Sequence, residues 1–285
     1  VEGVGAPGLA IIGAGRAGSA LAIAAHEAGY RVAAVASRRG EMAARLADTV
    51  GAQAVASPLA AAVLADLTLL AVPDGAISAV AATMAESGVS LDGRGVVHLG
   101  ARFGPEIIGV LRSTGAEVGV LHPLQALAGP DSASLLEGAY FRIDATGLLR
   151  QRLLALVAAL HAAPLEIDPA AAPLYHAAAV LAGNAPLALL AEATRLLEAA
   201  GVPSEAAHSA LAALLEGAAH NARRAGPAAA LTGPVARGDG DAIAAHLDAL
   251  APYPEARDLY LTLTRAMESL LATRPAAGDA GAQVA

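Results

Sequence analysis

Gly13-Ala14-Gly15-Arg16-Ala17-Gly18 follows directly on the apolar run Leu9 to Ile12 and opens an alanine-rich stretch, Ala17 to Ala28. A buried strand, a glycine turn and a helix in that order form the phosphate-binding turn of a doubly wound α/β sheet. The first glycine permits the tight turn, the second lets the backbone approach a pyrophosphate, and the third lets helix and strand pack closely. The N–H groups of the first helical turn then face the phosphates. A second strand-like run, Arg31 to Ala36, arrives at the spacing of a βαβ unit. An acid usually stands at its end to hold a ribose 2′-hydroxyl. Here the residues are Ser37-Arg38-Arg39. A hydroxyl and two guanidiniums suit a 2′-phosphate, so the reading is NADP(H), against the alternative of a solvated basic turn.

Working outward, strands and helices alternate. Helices are predicted over Glu41 to Thr49, Leu59 to Leu64, Ala76 to Glu86, Glu106 to Arg112 and Leu148 to His161. Strands are predicted over Ala52 to Val55, Leu67 to Val72, Val96 to Leu99, Val118 to Leu121, Tyr140 to Ile143 and Leu165 to Ile167. From Asp168 only helices follow, over Ala170 to Ala200, Ser204 to Arg224, Asp241 to Leu250 and Pro254 to Thr273, with Pro186 kinking the first. The expected fold class is α/β: an N-terminal doubly wound sheet (1–168) followed by an all-α domain (169–274) and a small, polar, disordered tail (275–285).

Composition narrows the functions. The 285 residues carry a net charge of −8 with no block of like charge, which argues against nucleic acid. There is no cysteine, so thiolate catalysis and Cys-ligated metals are excluded, and no histidine spacing suits a metal, so none is expected. Mean hydropathy is +0.54, but alanine at helix positions drives it. No run of about 18 apolar residues is free of charge, Gly and Pro, as a membrane span would be. A soluble, cytoplasmic protein is the expectation.

Chemistry in such a sheet sits at the carboxyl ends of the strands. Val72-Pro73, His98 and His122-Pro123-Leu124-Gln125 fall there. His122 could bind a substrate carboxylate, act as a general acid, or merely cap a strand. His98 suits a structural or cofactor-packing role. His176 and Asn184 lie eight residues apart on one helix face, separated by small and aliphatic residues. They could protonate an oxygen and orient a carbonyl, or could be satisfied polar groups in a packed helix. In Leu231 to Asp239, Thr232 could bond a substrate, and Arg237 could pair with a carboxylate or with Asp239.

Four segments carry a family resemblance: GAGRAG at Gly13 to Gly18, HPLQ at His122 to Gln125, LYHAAAVLAGN at Leu174 to Asn184, and ALTGPVARGD at Ala230 to Asp239. From about Leu9 to about Thr273 the chain resembles bacterial proteins with a Rossmann-like half and a DUF2520 domain. These look like a branch of the 6-phosphogluconate dehydrogenase C-terminal-like superfamily, with ketopantoate, pyrroline-5-carboxylate and prephenate enzymes as relatives. The resemblance implies a proton donor at His176 (a Lys in ketopantoate reductases) and a substrate-holding Asn184.

Together these readings predict an NADPH-dependent oxidoreductase that reduces a small carboxylate-bearing carbonyl, ketopantoate first. An imine reductase of pyrroline-5-carboxylate type and a non-catalytic NADP-binding sensor are the alternatives. The cofactor residues are Gly13, Gly15, Arg16, Ala17, Gly18, Ser37, Arg38, Arg39, Val72, Pro73 and His98. The catalytic residues are His176, His122 and Asn184, and the substrate contacts are Gln125, Asn184, Thr232 and Arg237. The small residues of the helices point to a homodimer.

Overall fold

The run that opens the sheet forms β1 (Leu9–Ile12), and the glycine turn delivers the chain into α1 (Arg16–Glu27). The computed structural model describes residues 7–273, so the tail expected at 275–285 lies outside the described residues. There follow β2 (Val32–Ala36), α2 (Gly40–Val50), β3 (Gln53–Val55), α3 (Pro58–Ala62), β4 (Leu67–Leu70), α4 (Ile77–Glu86), β5 (Gly95–His98), β6 (Glu117–Leu124), β7 (Tyr140–Asp144), α5 (Gly147–Ala159) and β8 (Ala163–Leu165). The strand order is β3-β2-β1-β4-β5-β6-β7-β8. The first six strands are parallel, and the order reverses at β1 and β4, where a doubly wound sheet binds its ligand.

β7 departs from the expected winding. It runs antiparallel to β6, with His122 opposite Arg142, and β8 then runs parallel to β7. The connection from β6 to β7, residues 125–139, carries a 3-10 segment (Pro130–Leu136) and no α-helix, whereas α5 joins β7 to β8 as the usual crossover of a parallel pair. β6 also runs past Leu121 to Leu124, with Pro123 inside it. Beyond Val120 it has lost its β5 partner, and an edge tolerates a residue with no N–H to donate.

The apolar strands are continuous because both faces are covered. Leu9, Ile11, Val35, Leu67 and Leu69 join the core beneath α1, α2 and α5. Ala10, Ile12, Leu70, Ile77, Met84 and Ile108 join the core of the opposite face. The segment Pro105–Thr114, predicted as an α-helix, is a 3-10 helix.

The compact unit containing the sheet ends at Asn184 and the second begins at Ala185. The helix that opens the predicted all-α half, α6 (Ala172–Gly183), therefore packs with the sheet unit. It stops at Asn184, whose N–H donates to the Val180 carbonyl, two residues before Pro186. By length and composition the stretch Pro169–Ala199 would suffice to cross a membrane, with mean hydropathy 1.4 and none of its most apolar window buried, although Asn184 interrupts it.

The second unit contains α7 (Ala185–Ala199), α8 (Ser204–Ala225), α9 (Pro227–Ala230), α10 (Pro234–Arg237), α11 (Gly240–Ala249) and α12 (Pro254–Ala272). The short α9 and α10 lie between the helices predicted over Ser204 to Arg224 and Asp241 to Leu250, where the sequence reading has no helix. Asp239 starts α11 by accepting the Ala242 N–H, an N-cap bond.

Gly18 fixes α1 against the sheet. A Cβ there would collide with the Gly13 carbonyl oxygen and come within 2.9 Å of the Ala71 Cβ. Both neighbours belong to the turn and to the end of β4, so neither can give way cheaply. Gly18→Ala is expected to lower folding stability by about 2 kcal/mol or more, read by denaturant unfolding. A wild-type midpoint would contradict this packing.

Candidate functional site

Gly13 has φ +110°, and a Cβ there would strike the Ala71 carbonyl. Only glycine lets β1 turn sharply here while lying against the end of β4. Gly15 differs: nothing lies within 4 Å of where its Cβ would be. It is the N-cap of α1, with no side-chain cap bond and no acid in the first helical turn. The free N–H groups and the positive end of the helix dipole thus open onto empty space, an arrangement that favours an anion.

That space is a cavity of about 710 Å³. Its lining includes Gly13, Gly15, Arg16, Ser37, Arg38, Arg39, Val72 and Pro73, with Ala128, Gly129 and Pro130 also at its wall. Arg38 and Arg39 are exposed and form no ion pair among the described residues. An anion-binding helix start at one place and two unpaired guanidiniums at another suit a ligand with phosphate at both. Apolar walls from Met42, Ala56, Pro58 and Val80 complete the cavity. The residues present therefore fit a 2′-phosphorylated dinucleotide.

Three residues predicted for the cofactor do not line this cavity. Ala17 and Gly18 lie within α1, where Gly18 serves the helix–strand contact. His98 is wholly buried: its Nδ1 accepts from the Gly100 N–H at 3.0 Å and its Nε2 faces the Gly104 carbonyl at 3.0 Å. Both ring nitrogens are thus spent on holding the loop after β5. Burial, the largest influence on it, lowers its pKa.

Two strands from β4, on the same sheet, lies a second cluster. His122 Nδ1 is 2.7 Å from the Tyr175 hydroxyl, with the rings edge to face at 5.6 Å. Burial pushes the His122 pKa down to about 4, and the neighbouring His176 and Arg142 push the same way. Burial pushes the Tyr175 hydroxyl up to about 12, opposed by the charge of Arg142. His176 follows Tyr175 on α6 and has no hydrogen-bond partner among the described residues. His122 and His176, the two alternative donors of the sequence reading, are near enough for their charges to interact. Asn184 is the exposed C-cap of α6, at the far end of the helix.

Beneath the cluster lies Arg142, fully buried and directly across β6–β7 from His122. Its Nη1 donates to the carbonyls of Ala101 at 2.7 Å and Phe103 at 3.1 Å, and Nη2 meets Asp144 at 3.3 Å. Its Nε has no partner. The sequence reading missed both Arg142 and Tyr175. A charged residue amid the strand Tyr140-Phe141-Arg142-Ile143-Asp144 was one signal, since a buried charge must be paired. A tyrosine beside His176, in a chain with five tyrosines, was the other.

Other predicted contacts are engaged elsewhere. The Gln125 carboxamide donates to the Leu135 carbonyl at 2.9 Å and accepts the Ala126 N–H at 2.8 Å. It thereby ties down the loop after β6 instead of offering free polar atoms. In the second unit, Thr232 is exposed between α9 and α10, and Arg237 stands 4.0 Å from Asp239. Among the described residues no three His, Asp or Glu side chains gather as metal ligands.

The comparisons with known proteins agree with this fold. A model of a Rossmann-like domain matches residues 6–123. The model of a domain of unknown function, DUF2520, matches residues 139–267 and so takes in β7, α5 and β8 as well as helices. Among curated proteins no sequence matches the chain. A Bacteroides fragilis protein described as a candidate NADP oxidoreductase is 25% identical with a TM-score of 0.72, covering 92% of this chain and 98% of that one. An imine reductase from Pseudomonas sp. is 21% identical with a TM-score of 0.63, covering 92% and 94%. A pyrroline carboxylate reductase from Plasmodium falciparum, with NADP bound, is 10% identical with a TM-score of 0.63, covering 94% and 100%. At such identities the last two are likenesses of fold. Along most of its length the chain is a Rossmann-like domain joined to a DUF2520 domain.

Proposed function

We propose that this chain is an NADPH-dependent reductase of a small carbonyl or imine. The observation that carries the reading is the cavity at the start of α1, which joins an uncapped helix N-terminus to the unpaired Arg38 and Arg39. The NADP oxidoreductase likeness at 25% identity supports it. When bound, NADPH supplies a hydride. Gly13, Gly15 and Arg16 would hold its pyrophosphate, and Ser37, Arg38 and Arg39 its 2′-phosphate. Val72 and Pro73 would form the wall near the strand ends.

His122, Tyr175 and His176 would manage the proton that reduction consumes, and Asn184 would orient the substrate. Among substrates a carboxylate-bearing 2-oxoacid such as ketopantoate comes first, on the strength of the sequence resemblance. A cyclic imine comes second, favoured by the imine and pyrroline carboxylate reductases among the structural neighbours. The test is oxidation of NADPH, followed by absorbance, with ketopantoate, other 2-oxoacids and cyclic imines. Turnover of one class is expected. Tight NADPH binding with no turnover of any would replace this reading by a cofactor sensor.

The working protein would be a homodimer. Among its described residues the unit from Ala185 buries only Ala207, Val235, Ala256 and Thr264, while Leu187 and Leu214 stand more than half exposed. So little core leaves an apolar helical surface that a second copy would cover. Light scattering should give twice the chain mass at micromolar concentration, and a monomer would contradict the assignment.

Neutral His122 has a consequence for stability. Its pKa is about 4 in the folded chain against 6.5 for a free side chain. Between those values the unfolded chain binds the proton and the folded chain does not. Stability from this group is therefore complete above about pH 6.5 and lost as the pH falls toward 4. Its ring resonances should stay flat from pH 8 to 5.5, and His122→Asn should flatten the acid limb of stability against pH. Titration of the His122 ring near 6.5 would contradict the assignment.

A further inference from the structure

We infer that the Tyr175 hydroxyl, not either imidazole, is the group that protonates the reduced substrate, with His122 as its relay. This rests on the reductase reading above. A proton donor must be fixed in orientation, and what it leaves behind must be stabilised. Tyr175 meets both needs: a 2.7 Å hydrogen bond and an edge-to-face contact pin its ring to His122. The charge of buried Arg142 offsets part of the burial that disfavours a phenolate, and His122, 2.7 Å away, is placed to quench that phenolate by returning a proton to it. By contrast, His176 has no hydrogen-bond partner among the described residues to fix its ring or its tautomer. Nδ1 of His122 is already committed to Tyr175.

The relay follows from which atoms are free. Arg142 Nε is the one buried side-chain nitrogen or oxygen without a partner among the described residues. Nε2 of His122, which also has no hydrogen bond, is therefore open to water. The step then balances. As the carbonyl or imine carbon gains the hydride, its oxygen or nitrogen takes the Tyr175 proton. The phenolate takes the Nδ1 proton of His122, Nε2 takes one from water, and exchange with water then returns that proton from Nε2 to Nδ1 for the next turnover. The net change is one hydride and one solvent proton added across the double bond. The step requires neutral His122 to carry its proton on Nδ1 and donate to the Tyr175 oxygen, leaving the Tyr175 hydrogen free for the substrate.

Two measurements decide it. With NADPH and two probes, ketopantoate and 1-pyrroline-5-carboxylate, Tyr175→Phe should lose about 100-fold or more in kcat. KM and NADPH affinity should stay within about twofold, which also shows that the variant folds. Retention of more than about a third of the wild-type kcat would overturn the assignment. Independently, ¹⁵N spectra of the wild-type protein without substrate should show His122 protonated at Nδ1. Protonation at Nε2 would mean that Tyr175 spends its hydrogen on His122, and this too would overturn it. If the wild-type protein reduces neither probe nor any other 2-oxoacid or cyclic imine of the panel above, the reductase reading fails and the donor role with it. An Nδ1 proton would then show that the pair itself is built as described.

Discussion

The contact between Gly18 of α1 and the Gly13 carbonyl, closed over by Ala71, is the constraint on which the rest depends. It brings the helix start so near the ends of β1 and β4 that the uncapped N–H groups face the cavity and not bulk water. A side chain at Gly18 would push the helix away, and one at Gly15 would fill the space that the helix faces. The order of the parallel strands reverses at this point, so the connections leaving β1 and β4 pass to opposite faces of the sheet and leave room for a ligand.

A second constraint sits two strands further on. Arg142 occupies a strand whose neighbours are apolar, and its charge is balanced by one carboxylate and two carbonyls while Nε goes unpaired. Such an arrangement is costly to bury. Its return is local: it fastens the loop after β5 to β7 and holds positive charge under His122 and Tyr175. Burial moves apart two groups that titrate near 6.5 and 10 when free, and both remain neutral through the physiological range. A neutral pair joined by a short hydrogen bond suits the movement of a proton more than the binding of an ion.

Much of the sheet was legible in sequence because the signals were local. The Leu9 to Ile12 run, the three glycines and the Ser37-Arg38-Arg39 turn each act within a few residues of themselves. The antiparallel β7 was not legible. Tyr140 to Ile143 reads alike in either direction, and nothing local to the strand marks which way it runs. The same gap hid half of the second cluster. His122 and His176 stand out as residues, but the partnership of His122 with Tyr175 spans 53 positions and arises only when α6 packs with the sheet unit. Gln125 is engaged for a local reason too: a polar residue at a strand end looks available, and here its polar atoms are consumed by nearby backbone groups, as are both ring nitrogens of His98.

The claim that this site is built for a 2′-phosphorylated dinucleotide is tested most directly by titrating the purified protein with NADPH and NADH and comparing the dissociation constants. The account expects NADPH to bind at least about tenfold more tightly, since a charge-assisted contact to the 2′-phosphate contributes about 1.5 kcal/mol or more. Arg38→Asp should abolish that preference while leaving NADH binding largely intact. Equal affinity for the two cofactors, or a preference that survives the substitution, would contradict the account.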